Sequence, residues 1–322
     1  LKSLKLKKND EVITTPMTFC STVNCIIHAG GKPILVDIKE NTLNIDEDKI
    51  EEKINKNTKA LLIVHFAGLP CNMDKIKKIV SRYNIKLIED CAHSIESKYR
   101  DIEVGNFGYS GCYSFYVNKN ITTCEGGMVT TKNKTLHNFI IKNRLHGLSK
   151  DAWKRFFPNK QKKSIYYYDV LSAGYKFNMP DLNASMGLSQ LKSVQNFWLK
   201  RKRIHEYYRK KLLKLPIKFQ EFDDQEITHS YHLFLFFIDC KKTNKTRDQL
   251  VEFLNKNKIG FGIHYRAINS MTYYKKNFNW SKKDAPIAYN VGENTISLPL
   301  YPHLTFQKID FICDKILNFF KK

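Results

Sequence analysis

Gly111-Cys-Tyr-Ser-Phe-Tyr-Val-Asn-Lys-Asn-Ile-Thr-Thr-Cys-Glu-Gly-Gly127 is the stretch on which the reading of this chain turns. Its aromatic and β-branched run from Tyr113 to Val117 predicts a strand. Lys119 follows between two asparagines, and Gly126 and Gly127 turn the chain into a second expected strand, Met128 to Thr131. A lysine at the rim of a buried strand can be stripped of water, which favours its neutral, nucleophilic amine. The plain alternative is one more solvated lysine in a lysine-rich chain. Against it stands the preceding segment, Lys86-Leu-Ile-Glu-Asp90-Cys-Ala-His93, which sets an acid at the end of another apolar strand.

Upstream, the chain alternates between two periods. Glu11 to Thr14 predicts a short strand, and Pro16 to Gly30 has helical spacing that stops at Gly30-Gly31. Pro33 to Ile38 predicts a strand, and Ile45 to Ile54 an amphipathic helix capped by Asp46 or a neighbour. Ala60 to Phe66 is nearly all apolar, as a strand covered on both faces requires. Asp74 to Tyr83 predicts a helix and Ile85 to Glu89 the next strand. This rhythm predicts βαβ units around a mostly parallel sheet, the α/β class. Ligands of such sheets sit beyond the carboxyl ends of the strands. Asp90 falls at one such end, and Lys119 just past another.

Downstream of Thr131, a helix is expected to about His146, then a loop over the site from Leu148 to Ser164. Tyr175 to Pro180 is expected to be extended, since a proline restricts the residue before it. Asp181, an expected N-cap, opens a helical pattern running to about Leu213, and Pro216 breaks it. Tyr231 to Ile238 and Ile259 to Tyr265 predict strands; Arg247 to Lys256 and Asp310 to Phe320 predict helices. The expected division is a large domain over 1–195, then a connecting helix and a small α+β domain over 196–322.

Composition narrows the function classes. The net charge is +23, but the lysines are scattered and no nucleic-acid recognition motif accompanies them, so no nucleic-acid partner is expected. The densest basic run, Lys200 to Arg203 and Arg209 to Lys211, interleaves with Leu199, Ile204, Tyr208 and Leu212 and predicts a solvated helix face. No run of roughly 18 apolar residues exists, so no membrane span is expected. Leu1 to Lys8 lacks the apolar core of a signal peptide. The eight cysteines show no C-x-x-C pairing. With Cys25, Cys91, Cys112 and Cys313 in apolar runs, they read as reduced, buried thiols of a cytoplasmic protein, with neither disulfides nor a metal site.

An ordered set of short pieces resembles the DegT-like nucleotide-sugar aminotransferases, fold-type I enzymes that use pyridoxal 5'-phosphate (PLP). The pieces are Asn9-Asp-Glu-Val-Ile-Thr, Met17-Thr-Phe19, Val36-Asp37, Val64-His-Phe-Ala-Gly68 and Glu89-Asp-Cys-Ala-His93. They continue through Ser114-Phe-Tyr-Val-Asn-Lys119, Glu125-Gly-Gly127, His146-Gly147, Gly174-Tyr-Lys-Phe-Asn178 and Gly262-Ile-His264-Tyr-Arg266. Each is weak alone; their order and spacing along the whole chain carry the resemblance. The pieces His146-Gly-Leu-Ser-Lys-Asp-Ala-Trp153 and Ile263-His-Tyr-Arg-Ala-Ile268 look most like enzymes that aminate C4 of UDP-4-keto sugars, such as those making 4-amino-4-deoxy-arabinose.

The resemblance implies roles. Lys119 would bind PLP as a Schiff base and then shuttle a proton, and Asp90 would keep the pyridine nitrogen protonated. Without a matching lysine downstream, Asp90 would read as a helix cap after the strand. Phe19 would stack on the ring, or be an ordinary core aromatic. His93 would hydrogen-bond near the ring's phenolic oxygen, and Ser114 would donate to the phosphate. Asn178 would reach the phosphate of a partner subunit, which implies a homodimer, and His264 would face the sugar nucleotide. A UDP-sugar and glutamate are the implied substrates.

One departure stands out. Family members carry a Ser-Gly-Thr-type segment ahead of the position matching Asp10, where a helix N-terminus cradles the phosphate. The family pattern places on the order of fifty residues ahead of Leu1. Three readings therefore stay open beside the aminotransferase: a fragment of one, a related PLP dehydratase of deoxysugar synthesis, and a catalytically dead family member.

Overall fold

The computed structural model describes residues 1–149, 169–222 and 225–321. In chain order the strands are β1 (Glu11–Thr14), β2 (Lys32–Leu35), β3 (Thr58–Val64), β4 (Lys86–Asp90), β5 (Lys98–Tyr99) and β6 (Ile102–Glu103). They continue with β7 (Ser110–Ser114), β8 (Gly127–Thr130), β9 (Ile217–Phe219), β10 (Ile227–Thr228), β11 (Phe234–Ile238) and β12 (Thr295–Leu298). The helices are α1 (Cys20–His28), α2 (Met73–Arg82), α3 (Lys134–Asn143), α4 (Asp181–Leu191) and α5 (Val194–Leu212). After them come α6 (Arg247–Lys256), α7 (Thr272–Phe278), α8 (Pro286–Asn294) and α9 (Phe306–Lys321).

The main sheet has the order β2-β1-β3-β4-β7-β8, parallel throughout except for the antiparallel β7–β8 edge pair. Strand β3 explains why its run from Ala60 to Val64 is apolar without interruption. Leu61 and Ile63 face one core with Ile76 and Ile79 of α2, while Ala60 and Leu62 face the other with Val12, Ile88 and Ile26 of α1. A strand sends successive side chains to opposite faces, so helices on both sides bury all five of these positions. Each such large side chain contributes roughly 1.5–3 kcal/mol relative to exposure. The parallel strands all end on one edge, which is where the chain delivers Asp90, His65 and the segment leading to Phe19.

A second sheet, β12-β11-β9, is antiparallel and packs with α5, α6 and α9 around Tyr208, Phe234, Phe236, Leu250 and Ile309. The opposite face of β11 carries Leu235 and Phe237, which join Met17, Phe66, Ala288 and Val291 in a shared cluster. Asp37 adds a polar tie between the halves: its carboxylate accepts the N–H groups of Ile287 and Ala288, 2.9 Å each, in the first turn of α8. That cap satisfies donors a helix start would otherwise leave open.

Several expected elements are redrawn. Pro16–Thr18 bends outside any helix, Phe19 is extended, and α1 begins only at Cys20. Ile45–Ile54 folds as two short 3-10 turns, Glu47–Lys49 and Glu51–Lys53, although Asp46 does cap the first. β7 ends at Ser114, so Phe115–Val117 lies past the sheet. The long helical pattern is broken between α4 and α5, and Pro180, not Asp181, holds the N-cap place. Ile259–Tyr265 supplies a single bridge, Gly262 to Ser297, in place of a strand. Cys25 is exposed, because Thr22, Val23 and Ile26 take the inward face of α1. Arg201, in the basic run expected to be solvated, is buried, and its guanidinium donates to the Leu300 carbonyl at 3.0 Å. Most of the loop expected over the site, from Lys150 to Ser164, lies outside the described residues. Among the described residues no helix is long and apolar enough to cross a membrane.

Candidate active site

Asp90 closes β4, and two donors hold its carboxylate. The Thr22 hydroxyl, one turn into α1, donates to Oδ2 at 2.8 Å, and the Ala92 N–H donates to Oδ1 at 3.1 Å. Both oxygens are therefore oriented, and the acid is a fixed group rather than a loose strand end.

Lys119 sits in the connection between β7 and β8. That connection is folded on itself: the Lys119 N–H donates to the Tyr116 carbonyl at 3.0 Å, and Phe115 N–H to Gly126 at 2.8 Å. Helix α4 clamps it from outside, with the Asn183 carboxamide donating to the Thr123 carbonyl at 2.6 Å and to that of Glu125 at 3.1 Å. Burial pulls the Lys119 ammonium below its ordinary range, and the negative charge of Asp90 opposes that pull. The outcome is an amine more readily neutral than a surface lysine, close to a carboxylate.

His93 follows three residues after Asp90 and is buried. Its Nε2 lies 3.1 Å from the Tyr265 hydroxyl, and its ring stacks on His232 with centroids 4.3 Å apart. Burial, then the nearby Lys119 ammonium, keep His93 neutral. Its Nδ1 has no hydrogen-bond partner among the described residues. Tyr265 also meets Phe19, at 6.0 Å between ring centroids. Phe19 itself is 57 % exposed, which rules out an ordinary core aromatic. His264 pairs through Nδ1 with the Ser297 hydroxyl at 2.6 Å, and burial followed by Lys119 pushes it down to about 4.

Lys119, His93 and Ser114 line one small open cleft. Asn178 is not among the residues lining it; its carboxamide oxygen accepts from the Lys176 ammonium in the extended segment before α4. Sequence reasoning missed Thr22, Tyr265, His232, Asn120 and Glu96. The signal within reach was adjacency: Tyr265 neighbours His264, Asn120 neighbours Lys119, and Thr22 lies one turn after Phe19.

One further cluster has metal-ligand chemistry, the buried trio His65, Glu89 and Cys91. Its atoms are already committed. Glu89 accepts N–H bonds from Gly105, Phe107 and Gly108 at 2.7–2.9 Å, and His65 Nδ1 accepts the Cys71 N–H at 3.1 Å. The proton of His65 is thereby on Nε2, which faces Glu89 at 3.3 Å. This trio ties loops to the sheet.

The DegT/DnrJ/EryC1/StrS aminotransferase family model matches residues 1–317. The spore coat polysaccharide biosynthesis protein SpsC of Bacillus subtilis is 38 % identical over 322 residues, all of this chain and 82 % of that protein. Helicobacter pylori PseC, an aminotransferase involved in pseudaminic acid biosynthesis, superposes with a TM-score of 0.85 at 28 % identity, covering 98 % of this chain and 80 % of that one. The Streptococcus pneumoniae protein Spr1654, solved in apo, PLP and PMP forms, gives 0.88 in its PMP form at 28 % identity, over 98 % of this chain and 82 % of that one. The strand-end lysine and acid thus lie in a fold shared with such enzymes throughout, and the chain belongs to the DegT/DnrJ/EryC1/StrS aminotransferase family, whose members are PLP-dependent sugar aminotransferases.

Proposed function

We propose that the chain aminates a UDP-linked 4-keto sugar, with glutamate as donor, in the synthesis of surface polysaccharide precursors. In the balanced reaction glutamate loses its amino group and its α proton and takes a keto oxygen from one water to become 2-oxoglutarate, while the sugar's C4 gains the amino group and a proton and its keto oxygen departs as another water, so no net water is formed. The observation that carries the reading is the half-buried Lys119 amine, pulled below its ordinary range by burial against the charge of the doubly held Asp90 carboxylate. The likeness to SpsC and PseC supports a glycan precursor as acceptor.

The residues present fit PLP. His93 keeps an unpartnered ring nitrogen in the cleft, Phe19 leaves an aromatic face open, and Asp90 presents a fixed carboxylate. When bound, PLP supplies an electron sink for the carbanion that transamination requires. Lys119 would hold it and carry the proton, Asp90 would secure the ring nitrogen's proton, Phe19 would cover one ring face, and Ser114 would donate to the phosphate. His264, neutral near pH 7, would offer the sugar nucleotide a hydrogen-bonding edge.

A homodimer accompanies this reading. Phe177, Leu182 and Leu188 are 73 %, 76 % and 65 % exposed, and Val117 and Met128 beside the lysine turn are exposed as well. Apolar surface of this extent marks an interaction face. Asn178 lies within it, so a second copy seated there would receive Asn178 near its cofactor phosphate. Eight free thiols suit a reducing cytoplasm.

The test is an amino-transfer assay with PLP, candidate UDP-4-keto sugars and glutamate. The 4-amino sugar and 2-oxoglutarate should appear in equal amounts. Turnover only with a sugar lacking UDP, or only with another amino donor, would contradict the assignment.

A further inference from the structure

Asn120, next to Lys119, is 6 % exposed and uses its whole carboxamide. Its nitrogen donates to Glu96 Oε2 at 2.8 Å and to the Ser230 carbonyl at 2.9 Å. Its oxygen faces His232 Nδ1 at 2.9 Å. The Ser230 carbonyl can only accept, which fixes the orientation of the amide, and the amide oxygen can only accept, which puts the His232 proton on Nδ1. His232 then stacks on His93 at 28° between ring planes, and His93 meets Tyr265. A continuous chain of contacts runs from Glu96 through Asn120, His232 and His93 to Tyr265, and two of its members, Asn120 and His93, line the cleft that Lys119 lines.

We propose that Asn120 is a positioning residue, anchored by Glu96, that orients the Lys119 turn and, through His232, the His93 ring. The proposal rests on Lys119 being the reacting amine. Lys119 and Asn120 share a peptide bond, so locking the Asn120 side chain to Ser230 and Glu96 restricts the backbone from which the amine projects. A reacting group displaced by about 1 Å can lose on the order of 100-fold in rate. The second effect is on the ring: a His232 held in one tautomer offers His93 one stacking surface. Glu96 has its own stake. Burial drives its carboxyl up to about 7 against the Asn120 donor and the Arg201 charge, and its Oε1 has no partner among the described residues, so the Asn120 bond matters to its ionised form.

The experiment compares the holoenzyme with Asn120→Asp, Asn120→Ser and the double variant Glu96→Gln with Asn120→Asp. Asn120→Asp sets two carboxylates face to face, Asn120→Ser removes the three bonds without adding charge, and the double variant restores a donor–acceptor pair of reversed polarity. Both single variants should lower kcat by about 100-fold with KM for the amino donor within about twofold. The double variant should regain at least about tenfold. A kcat near that of the parent in either folded single variant overturns the proposal, as does a double variant that regains the melting midpoint but not kcat. PLP capture at Lys119, trapped with borohydride, is read in parallel and needs no sugar. Slow capture in the single variants and recovery in the double support the proposal, and parent-like capture overturns it. If the parent captures PLP in this pattern yet fails to turn over the UDP-sugar, only the substrate assignment falls.

Discussion

Thr22 contributes more to the site than its ordinary place on a helix suggests, because its hydroxyl is one of two donors fixing Asp90. Replacing Asp90 by Asn keeps the shape and removes the charge. Turnover should fall about 10²–10³-fold, the usual cost of roughly 2.7–4 kcal/mol for losing one preorganised electrostatic contact. The melting midpoint should move little, since the amide oxygen can keep the Ala92 N–H while the amide NH2 donates to the Thr22 hydroxyl; an Asp90→Asn enzyme of normal rate would make Asp90 a mere cap. Thr22→Val should cost about tenfold, the scale of one hydrogen bond to a charged group. Lys119 and Asp90 were legible in the sequence because each follows an apolar run at a strand end. Thr22 was not: it lies 68 residues from the acid it holds, and Tyr265 lies 172 from His93. Nothing local marks a threonine or tyrosine for such a partner.

Elements were legible where one force dominated. Continuous apolar runs, buried on both faces, made β3 and β4 visible, and helical spacing made α2 and α6 visible. The reading failed where a short apolar pattern fits more than one backbone. Ile45 and Ile50 are both buried, but as anchors of two tight turns rather than of one helix. Gly262 pairs with Ser297 by one bridge, so the apolar run from Ile259 to Tyr265 forms no ladder. The connection from β6 to β7 is held chiefly by Glu89. Burial works against its charge, but His65 and the N–H groups of Gly105 and Gly108 outweigh that and hold it below the ordinary carboxylate range. Glu89→Ala strips those donors at once and should cost about 3–5 kcal/mol, the scale of breaking a buried charged pair. A urea midpoint within error of the parent would show that the connection holds itself.

At the scale of the whole molecule, the buried histidines set the response to acid. His93, His205, His229, His232 and His264 are all held below the ordinary histidine range by burial, His205 down to about 3 and His264 to about 4. As pH falls through about 6.5, the unfolded chain takes up protons that the folded chain refuses. Their contribution is therefore complete above that pH and is lost progressively below it. Glu96 works the other way: its carboxyl, pushed up by burial to about 7, keeps a proton that the unfolded chain has released, so it favours acid. One such group stands against five, and a formal charge of +23 adds repulsion as more protons bind. The urea midpoint should fall steadily from pH 7 to pH 5. A midpoint that holds level or rises over that range would mean that the histidines can charge in place.

Lys119 is where the fold, the electrostatics and the family likeness converge, and borohydride reduction of the PLP-loaded chain followed by peptide mapping addresses it most directly. The account predicts one pyridoxyl label, on the peptide containing Lys119, and its loss together with turnover in Lys119→Ala. Label spread over other lysines and unchanged by Lys119→Ala would contradict it.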